Sequence, residues 1–350
     1  MEKLILNETP VRTSVNFGIN DIVLKDFEMP NLSAKFENIS IKKETAQVNQ
    51  NAIINNSKLT YGVGLEEQIE KQANQSIQIK FENSEKETVE IEYGFNETNN
   101  CLIDNIEILA KENSKGTVIL KYKSEENEKS YHNGICRIKL EKNSNINVII
   151  VNLLGSEADN FLSIESSLSE SAKLGFIMVD LGGNRRITNY YSNLEGKMSE
   201  NTIDSIYLGE KEQLIDINYI AHLRGEKTNV NIEVQGALKD KAQKHFKGTI
   251  DFKTGAKKAK GNENEFCMLL SENAKSKALP MLLCTEEDVE GNHSSASGRI
   301  NKNELFYLMS RGFSEKEAMK LLVKAKLTPI IEKIEKPELK QEILSQIDKI

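Results

Sequence analysis

Cys284 and His293 lie nine residues apart in the run Cys284-Thr-Glu-Glu-Asp288-Val-Glu-Gly-Asn-His293, where a thiol, carboxylates and an imidazole crowd into one segment. Soft thiolate and harder carboxylate or imidazole donors are the ligand types that transition metals take, so the segment is a candidate metal site. The plainer reading is an acidic turn whose carboxylates are solvated. On one continuous strand the two residues would face opposite sides, because side chains alternate with period two, and Gly291 is placed to break such a register. His132, His222 and His245 stand alone and read as surface or hydrogen-bonded structural residues. Cys101, Cys136, Cys267 and Cys284 form no C-x-x-C pair and are too few to staple a chain of 350 residues, so reduced thiols are expected.

Other chemistry is excluded by what is missing. Gly225-Glu-Lys-Thr228 lacks the upstream glycine of a phosphate-binding loop and reads as a turn. Gly62-Val-Gly64-Leu-Glu-Glu67 has Glu67 where a dinucleotide fingerprint needs its third glycine. No G-x-S-x-G or H-E-x-x-H occurs. The carboxylates Asp180, Asp204, Asp216 and Glu233 could serve a carbohydrate-active protein, but no spacing marks two of them as a pair.

With 46 Lys and Arg against 53 Asp and Glu, a net charge of −7 and no Trp, the chain is a poor match for nucleic acid or an anionic membrane. The apolar stretch Val148–Leu154 is broken by Asn152 and far short of a bilayer span, and the N-terminal residues lack the apolar run of a signal peptide, so a cytoplasmic protein is expected. Eight lysines between Lys239 and Lys260 read as a solvated outer face, or as a docking patch for an acidic partner.

The elements that must position these groups are short strands. Ile77, Ile79 and Phe81, then Val89, Ile91 and Tyr93, then Val118, Leu120 and Tyr122 alternate with polar residues between Asn, Ser, Glu and Gly turns. Further runs follow at Val148–Leu154, Leu174–Leu181, Ile203–Leu208, Ile215–Leu223, Val230–Val234, Thr249–Phe252 and Cys267–Leu270, at spacings that drift between about 15 and 30 residues. No βαβ alternation is present, which leaves a sandwich or a β-solenoid. A short helix is expected over Leu65–Ala73.

After Ile300 the period becomes helical. Leu305, Leu308 and Met309 mark one helix that Gly312 ends, and Ser314-Glu-Lys-Glu317 is a capping box ahead of an apolar stripe at Ala318, Leu321, Leu322 and Ala325. Pro329 and Pro337 punctuate the tail before a last stripe at Leu339, Ile343, Ile347 and Ile350. The organisation expected is a weakly defined segment over 1–100, a β core over 101–300 and a helical domain over 301–350.

The run NHSSASGRINKNELFYLMSRGFSEKEAMKLLV (residues 292–323) resembles the C-terminal signature of the SufB/SufD family of iron–sulfur cluster assembly proteins, most like a short SufD-type subunit. The resemblance is good over about Ile203–Val323 and weaker back to about Leu102. It implies a mainly β fold, a right-handed parallel β-helix with a small C-terminal α-helical domain, and a non-catalytic scaffold role. It further implies pairing with a SufB-like paralogue or with a second copy, and docking of a SufC-type ABC ATPase that hydrolyses the ATP. The docking element would be the helices from Asn303 to Ala325, with Leu305, Tyr307, Leu308, Arg311, Gly312, Ala318 and Leu322 as contact residues. A transient iron–sulfur cluster would be the cargo; flavin binding is left unspecified. His293 matches the histidine of SufD-type members implicated in cluster assembly, and Cys267 lies near the strand where SufB-type members carry a sulfur-accepting cysteine. Cys284 has no counterpart and reads as a buried structural thiol, with a metal role as its alternative. A purely structural adaptor in the same complex is the second reading of the whole chain.

Overall fold

A computed structural model describes residues 3–349 apart from 26, 31–33, 55–57 and 126–127, so Ile350 lies outside the described residues. The chain opens with β1 (Leu4–Leu6) paired antiparallel to β2 (Ile22–Leu24), then β3 (Ile39–Lys43) and β4 (Gln47–Gln50). The expected short helix is α1 (Glu66–Gln72).

From Gln75 two sheets grow alternately. One takes β5 (Gln75–Phe81), β7 (Cys101–Ala110), β9 (Tyr131–Leu140), β11 (Asp159–Leu168), β13 (Arg185–Leu194), β15 (Leu214–Leu223), β17 (Gln243–Phe252) and β19 (Lys275–Cys284). The other takes β6 (Lys86–Gly94), β8 (Lys115–Lys123), β10 (Asn145–Leu153), β12 (Lys173–Asp180), β14 (Glu200–Gly209), β16 (Asn229–Leu238), β18 (Ala259–Leu269) and β20 (Val289–Arg299). Every neighbour within these series is parallel, while β4 and β3 close the first coil antiparallel. The result is a mainly β protein, a β-solenoid of about eight turns, with C-terminal helices.

The fold follows from two local rules. Alternate residues of each strand enter the lumen between the sheets, where Ile, Val, Leu and aromatic side chains stack coil upon coil. The corners repeat a left-handed residue, Asn113, Asn143, Ser171, Met198, Lys227 and Lys258, at φ between 56° and 62°. Each is followed by a fully buried small residue, Ser114, Ser144, Ala172, Ser199, Thr228 or Ala259, whereas the left-handed Lys211 and Asp240 are followed by the exposed Glu212 and Lys241. The amide of each left-handed residue donates to the next coil, as from Asn113 to the Lys142 carbonyl and from Lys227 to that of Lys257. The drifting spacing read from the sequence thus resolves into one coil every 26 to 32 residues, from the register pair Asp159–Arg185 to the pair Gln243–Lys275.

The lysines between Lys239 and Lys260 are not all solvated. Lys244 and Lys247 are fully buried. Lys247 Nζ donates to Asp216 Oδ1 at 2.6 Å and to the Asn7 carbonyl at 2.8 Å, tying the N-terminal segment onto the outer face of the β13–β15–β17 sheet. Lys244 enters the lumen, as described below.

At the C-terminus lie α2 (Lys302–Ser310), α3 (Glu315–Ile331) and α4 (Pro337–Ile347). The capping box at Ser314 and Glu317 is formed. α3 does not stop at Pro329 but runs on to Ile331. Its buried stripe is Val323, Leu327, Ile330 and Ile331, packed with Ile334, Leu339, Ile343 and Ile347 against Ile149, Val151, Val179 and Ile206 on the outer face of the other sheet. Ala318 is buried as expected, but Leu321 and Ala325 are exposed, because the stripe that meets the sheet is rotated from the one the sequence suggests.

Candidate functional site

The two ends of the solenoid differ. β3 and β4 cover the first coil, whereas β19 and β20 are the last strands of their sheets. Edge strands carry unpaired backbone donors and acceptors, and a terminal coil leaves its lumen side open. Most of β20 is accordingly exposed, including His293.

His293 is therefore not in a turn. Residues 289–299 form β20, held by its parallel ladder to β18 rather than by any apolar alternation of its own. The chain breaks instead at 285–288, between β19 and β20, so Cys284 and His293 belong to different strands. Cys284 is in register with Phe252, a lumen residue, and His293 with Glu263, another. Gly291 confirms the facing: a Cβ there would lie 3.0 Å from the Phe252 ring and 3.4 Å from Leu282. Both candidate ligands thus line the open mouth of the lumen. Cys284 is exposed, which corrects the expectation of a buried thiol; its Sγ donates to the Glu286 carbonyl at 2.9 Å.

Cys267 lies one coil deeper, fully buried beneath Ser297. Burial pushes its thiol pKa up, with Lys244 opposing that shift. A buried thiol of raised pKa is a poor nucleophile and ligand until something opens the site.

Beside Cys267 the lumen carries charges that the sequence reading missed. Glu263, Glu265 and Cys267 alternate on β18 and all point inward. Lys244 Nζ donates to Glu265 Oε1 at 2.6 Å, Tyr207 Oη donates to the same oxygen at 3.3 Å, and Ser295 Oγ donates to Oε2 at 2.7 Å. Glu265 is thereby satisfied. Glu263 is 2 % exposed, and neither carboxylate oxygen has a hydrogen-bond partner among the described residues. Burial first, and the neighbouring Glu265 second, push its pKa up to about 8. The pattern Glu-x-Glu-x-Cys on a strand was the available signal, since period two puts all three on one face.

Of the four alternative carboxylates, Asp204 and Glu233 come together and the other two stand apart. Asp180 is buried beside Arg186 and accepts from Asn152, Asp216 accepts from Lys247 and Asn7, and Asp204 accepts from Lys333 of the C-terminal region. Asp180 follows the lumen alternation of β12 and Asp216 lies on the outer face of the other sheet, while Asp204 and Glu233 are register neighbours on β14 and β16; that one adjacent pair is tied up structurally, Asp204 accepting from Lys333 and Glu233 from Asn264 at 3.0 Å. His132, His222 and His245 are all buried against carboxylates, in keeping with structural roles. Among the described residues no group of three or more His, Cys, Asp or Glu could hold a metal, so the mouth by itself offers an incomplete ligand set.

The residues expected to contact a partner lie on α2, α3 and the corner between them. Ala318 is buried and Leu305, Leu308 and Leu322 are half-buried, whereas Tyr307, Arg311 and Gly312 are exposed. Around them Phe306, Met309, Phe313 and Leu321 are also exposed, Phe306 by 74 %. The Arg311 guanidinium lies 5.2 Å from the centre of the Tyr307 ring. An exposed cluster of large apolar residues of this kind marks an interaction surface. Among the described residues no helix is long and apolar enough to cross a membrane.

Comparison with known proteins agrees with this architecture. Residues 93–326 match the family described as SUF system FeS cluster assembly, SufBD core domain. The chain is 26 % identical over 264 residues to the iron–sulfur cluster assembly protein SufD of Bacillus subtilis, covering 75 % of this chain and 60 % of that protein. It is 24 % identical to SufD of Escherichia coli over 67 % of this chain and 56 % of the relative, and 34 % identical to a SufBD family protein of Pyrococcus horikoshii over 38 % of this chain and 29 % of the relative. The chain therefore spans 60 % or less of the length of these curated relatives. With well over half of its residues inside the core-domain match, and with SufD proteins among its relatives, the chain belongs to the SufB/SufD family of iron–sulfur cluster assembly proteins.

Proposed function

We propose that this chain is a non-enzymatic scaffold subunit of a SUF-type assembly complex, using the open end of its solenoid to pair with a SufB-like paralogue or a second copy. The observation that carries this reading is the uncovered terminal coil, whose edge strands β19 and β20 present both backbone pairing groups and the His293 imidazole. Pairing there would place His293 at a seam, where its nitrogen lone pair ligates iron and a thiolate from the partner, or Cys284 of this chain, supplies the soft ligand. A transient iron–sulfur cluster is the cargo of that site. Cys267, one coil below, is a sulfur acceptor only in a state that opens the mouth.

The exposed cluster on α2 and α3 docks a SufC-type ABC ATPase, which supplies the ATP hydrolysis that this chain has no phosphate-binding loop to perform. The test is coexpression of the full chain with that ATPase and native mass measurement of the complex. Point variants are preferred to truncation, because removing the C-terminal helices would strip the apolar cover from Ile149, Val151 and Ile206. Tyr307→Asp with Arg311→Glu is expected to abolish ATPase capture by a chain that melts like the wild type; retained capture sinks the docking claim. In the same complex His293→Ala is expected to lower anaerobic cluster yield. Unchanged yield leaves the purely structural adaptor as the better reading.

A further inference from the structure

The columns that line the lumen run through every coil, and one of them changes character at the open end. It reads Val118, Val148, Phe176, Ile203, Ile232, Glu263, His293, each in register with the next. Five apolar rungs are followed by a carboxylate and an imidazole. Replacing an apolar rung by an unpartnered buried carboxylate is costly, and it is the opposite of what stacking alone would select.

The neighbouring column supplies an internal comparison. It reads Leu120, Ile150, Met178, Ser205, Val234, Glu265, Ser295 and ends in a carboxylate whose two oxygens are taken up by Lys244, Tyr207 and Ser295. Glu265 is a structural ion. Glu263 has no such partners, and the protein makes room for its carboxylate: a Cβ on Gly248, across the lumen, would sit 2.3 Å from its Cδ and 2.4 Å from both oxygens. Adjacent strands are about 4.8 Å apart, so side chains on neighbouring rungs of one face reach a common atom between them.

We propose that Glu263 and His293 form a carboxylate–imidazole pair that binds one divalent transition cation of the ferrous class at the mouth of the lumen. The oxygen and nitrogen donors suit such an ion, and its remaining positions face the open end, where water or groups from a paired chain complete the shell. Glu263 is the ligand that the family resemblance does not supply. The proposal rests on the reading that His293 handles iron, and it adds a buried oxygen donor one rung below.

The experiment titrates metal-free, full-length protein with Co2+ under anaerobic conditions and follows the visible absorption of the bound ion. The wild type is expected to bind one equivalent, and Glu263→Gln and His293→Ala each to weaken it by about tenfold or more. Glu263→Ile, which continues the column from Ile232 and restores the apolar stack, is the second variant should the Gln form not fold; the same loss is expected. Wild-type affinity in a folded Glu263 variant, with loss only in His293→Ala, overturns the role of Glu263 and leaves the reading of His293 standing. Wild-type affinity in His293→Ala overturns the pair and the iron role of His293 together. Absence of Co2+ binding by the wild type at millimolar concentration overturns the site in the isolated chain, while ATPase capture tests the scaffold reading independently.

Discussion

Lys244 and Glu265 meet at 2.6 Å inside the lumen, both fully buried, on strands from opposite sheets. Such a pair holds together two charges that would each be costly alone, so its removal is asymmetric. Lys244→Met strands Glu265 with only Tyr207 and Ser295 as donors and is expected to destabilise the protein by about 3–5 kcal/mol. Lys244→Met combined with Glu265→Leu is expected to recover most of that loss. Urea unfolding of both variants checks it; equal losses would show that the pair is not what holds the two sheets at this level.

Glu263 should leave a signature in the pH dependence of stability. Its pKa is about 8 in the fold against an ordinary 4.5, so between those values the folded state keeps a proton that the unfolded chain has lost. Stability from this group therefore falls as pH rises from about 4.5 to 8, by up to about 5 kcal/mol on the scale of 1.4 kcal/mol per unit. Glu263→Gln in metal-free protein is expected to raise Tm by several degrees at pH 8 and hardly at all near pH 4.5. A Tm difference that is the same at both pH values would mean that Glu263 ionises normally.

The lumen strands were legible because alternation of Ile, Val and Leu with polar residues survives in sequence, as in Val118, Leu120 and Tyr122 of β8. The coil repeat was not, because it resides in backbone conformation: Asn113, Ser171, Met198 and Lys258 share a left-handed φ and little else. β20 was hidden for a related reason. Its Ser and Gly side chains carry no pattern, and its ladder to β18 is what makes it a strand. The helical tail was legible in number and in its capping box, but the face α3 buries is chosen by the sheet it meets, so Val323 and Leu327 are covered while Leu321 is left out. His293 stood out by motif. Glu263 did not, because only the register between coils shows what lies beneath it.

His222 predicts a second, opposite pH effect. Burial holds its pKa down to about 4, against the pull of Asp251 toward higher values. The fold therefore contains the neutral ring while the unfolded chain titrates at its ordinary 6.5. Below 6.5 the unfolded state binds a proton that the fold refuses, so stability drops as pH falls from 6.5 to about 4, by about 3 kcal/mol at most. His222→Gln, which can still meet the Tyr191 hydroxyl that lies 3.1 Å from Nδ1, is expected to flatten the acid limb of the Tm profile. An acid limb as steep as that of the wild type would place the sensitivity elsewhere.

The attachment of the C-terminal helices is the last point that a single substitution can decide. Ile331 is fully buried in the apolar cluster that joins α3 and α4 to the outer face of the solenoid, and the seam is flanked by ion pairs from Lys333 to Asp204 and from Glu342 to Lys121 and Lys123. These pairs are partly exposed and contribute little each, so the apolar contact must supply most of the adhesion. Ile331→Ala removes three carbons from it and should cost about 2–5 kcal/mol. Because each solenoid coil is held by its neighbours, that loss is expected to stay local. Hydrogen exchange should speed up across residues 315–347 while the amides of β12 to β16 keep their protection. Uniformly faster exchange throughout the chain would instead make the helices part of the solenoid's own cooperative unit, and a movement of the exposed apolar face of α2 and α3 would then have to be shared by every coil.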